Sequence, residues 1–355
     1  MSPKLMEKTA LNTGRETCDL TVLVPAYNEE EHIRQTIRSL QEQTLLPAEI
    51  IVIDDCSTDN TGKAASDMKV TVLRPPVNTG SKAGAQNYAL GYVKTEYTMA
   101  VDADTTLAPD AIEKIMQAFD DTEISAACGL VLPRRVRSIW ERGRYIEYLF
   151  AFTYYKPIQD FLGKPLISSG CFSAYKTQAL RENGGWSNRT MAEDMDLTWS
   201  FYHARRGVRF IPEAISYPVE PHNYEFMSKQ LRRWSHGFIQ NVRLHWRELL
   251  DHSYLRTMIA VSLWDAVVSS LAYLVLIPFF AIFVHPIFLI GYLIDAPAVA
   301  VPVLYKGIQR GEALKVLTSL PGFFVLRLVN GLFILKAVWC ELISGHSLRV
   351  YEKGH

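Results

Sequence analysis

The sequence predicts an α/β protein, a mostly parallel sheet with helices on both faces, followed by interfacial and membrane-spanning helices. Three observations predict it. Short apolar runs rich in β-branched residues alternate with helical patterns from Leu20 to Val101, as expected of parallel strands joined by crossover helices. Those runs stop at acidic or glycine-rich clusters, and open α/β sheets bind ligands beyond the carboxyl ends of their strands. From about residue 257 the chain turns apolar in runs long enough for a bilayer core of about 30 Å.

Composition narrows the function. The 355 residues carry a formal net charge of +0, so no global basic field invites nucleic acid. Five cysteines (Cys18, Cys56, Cys128, Cys171 and Cys340) show no C-x-x-C spacing. That argues against a zinc site or a disulfide framework and for a reducing compartment. Residues 1–19 are polar and lack the apolar core of a signal peptide, so the domain that follows is expected in the cytosol.

Leu20–Val24 reads as a buried strand ending at Pro25-Ala26-Tyr27-Asn28-Glu29-Glu30. A helix with Ile33, Ile37 and Leu40 on one face follows. Glu49–Ile53 is a second strand, stopping at Asp54-Asp55-Cys56-Ser57-Thr58-Asp59. After strand Val70–Leu73, the loop Asn78–Gly84 opens a helix over Ala85–Val93. A helix N-terminus with free N–H groups and one lysine, Lys82, favours phosphate. Strand Tyr97–Val101 ends at Asp102-Ala103-Asp104. Residues two apart share a strand face, and oxygen ligands suit Mg²⁺ or Mn²⁺. The pair therefore reads as a metal site for a nucleotide diphosphate. Turn chemistry for Asp54 and Asp55, and helix capping for Asp104, are the plainer alternatives.

Arg134–Tyr155 is basic, then aromatic, and reads as an amphipathic helix. Ile167–Ser173 reads as a strand with a small-residue window at Ser169-Gly170-Cys171. Glu193-Asp194 opens a helix through Trp199 and Tyr202. Asp194 is a candidate general base, or an ordinary acidic first turn. Met227–Leu250 reads as a long amphipathic helix whose apolar face is Leu231, Trp234, Phe238, Val242, Trp246 and Leu249, suited to a membrane interface. Ala266–Val284, Ile287–Tyr305 and Val316–Ser344 are candidate spans. The basic connection Lys306–Lys315 is expected to stay inside, so a third crossing leaves His355 outside. Arg327 either lines a passage for an acceptor or snorkels to headgroups.

The ordered set PAYNEE, IDDCSTDN, NTGSKAGAQN, VDADTT, SSGCFSAY, AEDMDLTW and Gln230-Leu231-Arg232-Arg233-Trp234 (Q-x-x-R-W) resembles the inverting family-2 glycosyltransferases. With the apolar tail it looks like their processive membrane branch, the cellulose, chitin, hyaluronan and poly-N-acetylglucosamine synthases. The resemblance implies a GT-A fold, a Rossmann-like nucleotide-sugar domain. It implies that Tyr27 and Glu29 line the nucleoside site, that Asp54 or Asp55 binds uracil and ribose, and that Lys82 lies against the donor. Asp102 and Asp104 match the metal and diphosphate motif, and Asp194 the catalytic base. Gln230, Arg233 and Trp234 match the motif closing over donor and acceptor, with Ser169, Gly170 and Cys171 at the acceptor floor.

The expected organisation is a polar tail (1–19), a cytosolic GT-A catalytic domain (20–226), an interface helix with Q-x-x-R-W (227–256), a membrane region of about three helices (257–345) and a tail (346–355). The expected protein is multi-pass in the plasma or inner membrane. It uses Mn²⁺ or Mg²⁺ to move a sugar from UDP-N-acetylglucosamine or UDP-glucose to a glycan, lipid or protein acceptor. Processive synthesis, a single transfer to lipid or protein, and a catalytically silent binding protein remain the alternatives.

Overall fold

The computed structural model describes residues 16–248 and 253–349. The first fifteen residues of the polar tail, Leu249 and Leu250 of the expected interface helix, and the chain from residue 350 lie outside the described residues. In chain order, β1 (Thr17–Ala26), α1 (Ile33–Gln41), β2 (Leu46–Asp54), α2 (Thr61–Ser66), β3 (Thr71–Leu73), α3 (Lys82–Leu90) and β4 (Tyr97–Val101) follow the expected alternation. β5 (Thr106–Leu107), α4 (Ala111–Met116) and β6 (Ile124–Val131) come next. Then follow α5 (Ile139–Phe150), α6 (Lys156–Phe161), β7 (Phe172–Lys176), α7 (Thr177–Glu182), α8 (Glu193–His203), β8 (Gly207–Tyr217) and α9 (Tyr224–His245). The apolar region holds α10 (Ser253–Trp264), α11 (Ile277–Phe283), α12 (Ala296–Gln309) and α13 (Ala313–Val338).

The chain divides into two compact units. One comprises the chain up to Val131 with Ile167–Asn188 and Ser200–Val219; the other comprises Leu132–Leu166, Arg189–Trp199 and the chain from Glu220. The first unit holds a single mixed sheet of eight strands in the order β3-β2-β1-β4-β7-β6-β8-β5. β3, β2, β1 and β4 are mutually parallel, and β7 runs antiparallel to both β4 and β6. Leu20, Val22, Val24, Ile50, Val52, Met99 and Val101 are buried against Ile33, Ile37, Leu40, Ile112 and Ile115. Burial on both faces explains why these strands read as continuous apolar runs rather than alternating ones.

One expected strand is shifted. Ile167–Cys171 is loop, and β7 begins only at Phe172. Phe172 N–H donates to Ser169 O at 3.1 Å and Ser173 Oγ to the same oxygen at 2.7 Å, a turn that small residues allow.

In the second unit, Tyr145, Ile146 and Leu149 of α5 pack on Val299, Val303 and Val316. Met227 and Leu231 of α9 pack on Leu326 of α13. The buried face of α9 differs from the expected apolar stripe. Trp234 and Trp246 are exposed, while His236, Gln240, Asn241 and His245 are buried. Each of these side chains makes hydrogen bonds described below, which is what makes its burial tolerable. Among the described residues, three helices, Ser253–Phe283, Pro286–Gln309 and Ala313–Ser344, are long and apolar enough to cross a membrane. Arg327 of the third forms an ion pair with Asp295 of the second.

Candidate active site

In the first unit, successive loops at the strand ends are stitched to one another. β1 runs out into Tyr27-Asn28-Glu29-Glu30. Asn28 adopts a left-handed φ of 54°, which asparagine tolerates better than most residues. Its N–H donates to Ser57 Oγ at 3.0 Å, and its Oδ1 accepts from Thr58 N–H at 2.8 Å. Glu29 is buried, and its N–H donates to Thr61 Oγ1 at 2.7 Å. Asp54, at the end of β2, is buried, accepts from Ser57 N–H at 3.0 Å and pairs with Arg74. Position 62 must be glycine for this, because a Cβ there would stand 2.5 Å from Asp54 Oδ2. Asp55 accepts from both the N–H and the hydroxyl of Thr79 at 2.8 Å, so it holds the loop before α3.

That loop turns at Gly80 (φ 80°) and ends at Ser81, whose Oγ caps α3 by accepting from Gly84 N–H at 3.0 Å. The cap starts the helix at Lys82, three residues before the expected Ala85. Lys82 Nζ lies 2.5 Å from Asp102 Oδ1 and donates to Gly170 O at 2.9 Å. Asp102 N–H in turn donates to Cys171 O at 3.3 Å. Asp102-Ala103-Asp104 forms a turn closed by Thr105 N–H to Asp102 O at 3.0 Å, so strand alternation does not apply to it. The two half-buried carboxylates flank a buried alanine. An oxygen-only pair of this kind fits a hard divalent cation, and the ammonium against Asp102 demonstrates that a cation is accommodated there. Thus Asp54, Asp55, Lys82, Asp102, Gly170 and Cys171 belong to one connected network at one sheet edge, with Tyr27 and Glu29 on the loop stitched to it.

In the second unit, Asp194 stands half-buried in the first turn of α8. Its Oδ1 accepts from Met195 N–H at 2.8 Å. The loop before it is fastened to α9. Met191 N–H donates to Gln240 Oε1 at 2.9 Å, and Asn241 Nδ2 to Ala192 O at 3.1 Å. Gly237 permits this approach, because a Cβ there would meet the Ala192 nitrogen at 2.8 Å. Asp196 anchors the helix start. Arg189 grips it bidentately at 2.8 and 2.7 Å, and His245 Nε2 lies 2.7 Å from its Oδ1. Burial pushes the Asp196 carboxyl up, but the hydrogen bonds from His245 and Arg189 outweigh it and hold the group below the usual range.

The Q-x-x-R-W stretch lies on α9. Gln230 Oε1 accepts from Arg144 Nη2 at 2.6 Å, and the Trp234 ring stacks over the Arg144 guanidinium at 4.5 Å. Arg233 stands between them in sequence, half-buried.

Residues 21–184 match the family described as Glycosyl transferase family 2. Over those residues the chain is similar to the family-2 glycosyltransferases. The poly-beta-1,6-N-acetyl-D-glucosamine synthase of Staphylococcus epidermidis is 29% identical over 223 residues, 61% of this chain and 54% of that protein. The synthase of the same name from Staphylococcus aureus is 28% identical over 222 residues, with the same shares. The chain therefore spans about half the length of the curated relatives it matches. Among solved structures, the mannosyltransferase PcManGT from Pyrobaculum calidifontis, in complex with GDP-Man and Mn2+, superposes with a TM-score of 0.62 over 95% of this chain and 91% of that one, at 16% identity. That likeness concerns the fold, which is GT-A.

Several residues that shape the second unit carry no motif. Arg144 is fully buried and touches two members of Q-x-x-R-W. Arg189 and His245 hold Asp196. A faint signal exists for the last: Gly237, Asn241 and His245 recur every four residues on α9, a line of non-apolar residues along one helix face.

Proposed function

We propose that the protein is a membrane-anchored, metal-dependent inverting glycosyltransferase that moves a sugar from UDP-N-acetylglucosamine or UDP-glucose to an acceptor hydroxyl. The observation that carries this reading is the carboxylate turn Asp102-Ala103-Asp104, with Lys82 against it, at the end of β4 inside a family-2 domain. In this reading Tyr27, Glu29 and the Asp54-Asp55 edge line the nucleoside. Asp102 and Asp104 would hold Mn²⁺ or Mg²⁺, which when bound neutralises charge growing on the diphosphate leaving group. Lys82 and Arg233 donate charge-assisted hydrogen bonds to phosphate oxygens. Asp194 takes the proton from the acceptor hydroxyl as that oxygen attacks the anomeric carbon. One displacement, with the sugar–phosphate bond breaking on the far side, inverts that carbon. Gln230 and Trp234 orient the sugars, the indole offering an apolar face and an N–H donor. Ser169, Gly170 and Cys171 support the acceptor.

The test is a donor screen on detergent-purified protein with Mn²⁺ or Mg²⁺, reading released nucleotide. It includes GDP-mannose, since the whole-chain fold neighbour is named with that donor. Release from a UDP-sugar supports the reading, and release from none of the donors defeats it. Product length by mass spectrometry then separates a polymerase from a single-sugar transferase.

A further inference from the structure

One buried side chain of α9 carries two attachments. Gln240 Oε1 accepts from Met191 N–H at 2.9 Å, three residues before Asp194. Gln240 Nε2 donates to Glu341 Oε1 at 2.8 Å and to Leu348 O at 2.9 Å, with Ser347 Oγ further off at 3.3 Å. A single amide therefore joins the loop that presents Asp194 to the chain that follows the third apolar helix.

That chain is docked as a strap. The helix ends at Gly345, whose left-handed φ of 72° turns the backbone. Leu348 N–H then donates to Glu341 Oε1 at 3.0 Å. Glu341 is itself buried against α9. Its Oε1 lies 2.6 Å from His236 Nδ1, and its backbone oxygen accepts from Arg243 Nη1 at 3.1 Å. Helix end and strap thus present a carboxylate and a carbonyl to Gln240.

Those oxygens decide which way the amide faces. A glutamine amide donates only from its nitrogen and accepts only at its oxygen. Turned over, Gln240 would set its oxygen against Glu341 Oε1 and Leu348 O, and its N–H groups against Met191 N–H. Both contacts repel, and burial keeps bulk water from relieving them. The orientation that suits the strap is the one that holds Met191.

The loop after Met191 leads directly into the candidate base. Ala192 O accepts from Asp196 N–H at 3.1 Å, closing the first turn of α8 around Asp194. Asn241 Nδ2 holds the same oxygen at 3.1 Å and Thr190 Oγ1 at 3.2 Å. A misplacement of about 1 Å in a reacting group can cost about 10²-fold in rate. Asn241 keeps part of the fastening when Gln240 is lost, so the expected loss is smaller than that.

We infer that Gln240 is a positioning residue, and that the docked strap Gly345–Leu348 sets the place of Asp194 through it. This rests on the role of Asp194 proposed above and adds the strap to the parts that serve it.

The test is a double-mutant cycle on the whole chain purified in detergent, reading kcat and donor KM from nucleotide release. Gln240→Met keeps the length of the side chain and removes both its donors and its acceptor. Leu348→Pro removes the N–H that docks the strap and leaves α9 unaltered. Gln240→Met is expected to lower kcat about tenfold and Leu348→Pro by less, each with donor KM within about twofold of wild type. In an Asp194→Asn background neither is expected to lower kcat further, because a residue that acts through Asp194 has nothing left to position. A fall in that background as large as in the wild type overturns the inference, as does wild-type kcat for either variant. Should Gln240→Met not fold, Leu348→Pro in the two backgrounds decides alone. Wild-type turnover of Asp194→Asn defeats the base assignment, and the inference with it; a slow Asp194→Asn beside unimpaired Gln240→Met and Leu348→Pro defeats the inference alone.

Discussion

Arg144→Met removes the only fully buried arginine side chain among the described residues. The guanidinium contacts Glu147 at 2.5 Å, Gln230 at 2.6 Å, Met227 Sδ at 3.3 Å and Glu220 at 3.5 Å, and lies under the Trp234 ring. Methionine replaces the volume but neither the charge nor the fork. Glu220, itself buried, loses a counter-charge, and breaking a buried pair from one side costs about 3–5 kcal/mol. The lost stacking on Trp234 adds about 1 kcal/mol. For a unit of this size that corresponds to a fall in melting temperature on the order of 10 °C, read by thermal unfolding of the detergent-purified protein. Arg144→Lys keeps the charge but not the planar fork, so it should recover part of the stability while nucleotide release stays impaired. A melting temperature within about 1 °C of wild type for Arg144→Met would refute this reasoning, because a buried, multiply bonded guanidinium cannot be removed so cheaply.

Further outcomes concern Asp104 in the first unit and Asp194 and Asp196 in the second. EDTA should abolish transfer and Mn²⁺ or Mg²⁺ should restore it, with Asp104→Ala inactive yet folded; full activity in chelator would remove the metal from the account. Asp194→Asn should bind the donor almost normally and transfer at least ~10²-fold more slowly, with Glu193→Gln milder. Near wild-type turnover would leave Asp194 a first-turn helix residue. The depressed Asp196 carboxyl stabilises the fold fully above the ordinary aspartate range near 3.9 and loses that contribution as pH falls through its lower folded value. Asp196→Asn should therefore flatten the acid limb of a stability-versus-pH curve, and an unchanged limb would disprove the assignment.

The legibility of the fold depended on where the deciding contacts lie. Tyr97–Val101 was readable to the residue because an apolar run stops at a carboxylate. β6 was not read, although all of it is buried, because Ser125, Ala126, Ala127, Cys128 and Gly129 carry little strand preference. Pairing with β7 and β8 makes it a strand. The D-x-D stretch was found, but its turn, and the lysine that reaches it from twenty residues earlier, emerge only from the sheet edge that brings them together. Gln230 and Trp234 were legible as a motif, whereas Arg144, 86 residues before Gln230, was part of an undistinguished basic and aromatic run. Asp196 and His245, 49 residues apart, likewise show no local pattern that announces their contact. Along α9 the apolar reading finds Leu231, which is buried beside Met227 and Leu326, but not His236, Gln240, Asn241 and His245, whose burial rests on hydrogen bonds to distant residues.

The most direct test compares wild type with Asp102→Asn in a nucleotide-release assay on UDP-N-acetylglucosamine and UDP-glucose, with Mn²⁺ present. Asn keeps the size of the side chain but gives up the charge that engages Lys82 at 2.5 Å. The account predicts acceptor-stimulated release of UDP by the wild type and a loss of at least ~10²-fold in the variant, with an unchanged melting temperature. Equal release by both proteins would contradict the claim that this carboxylate turn is where the nucleotide diphosphate is held.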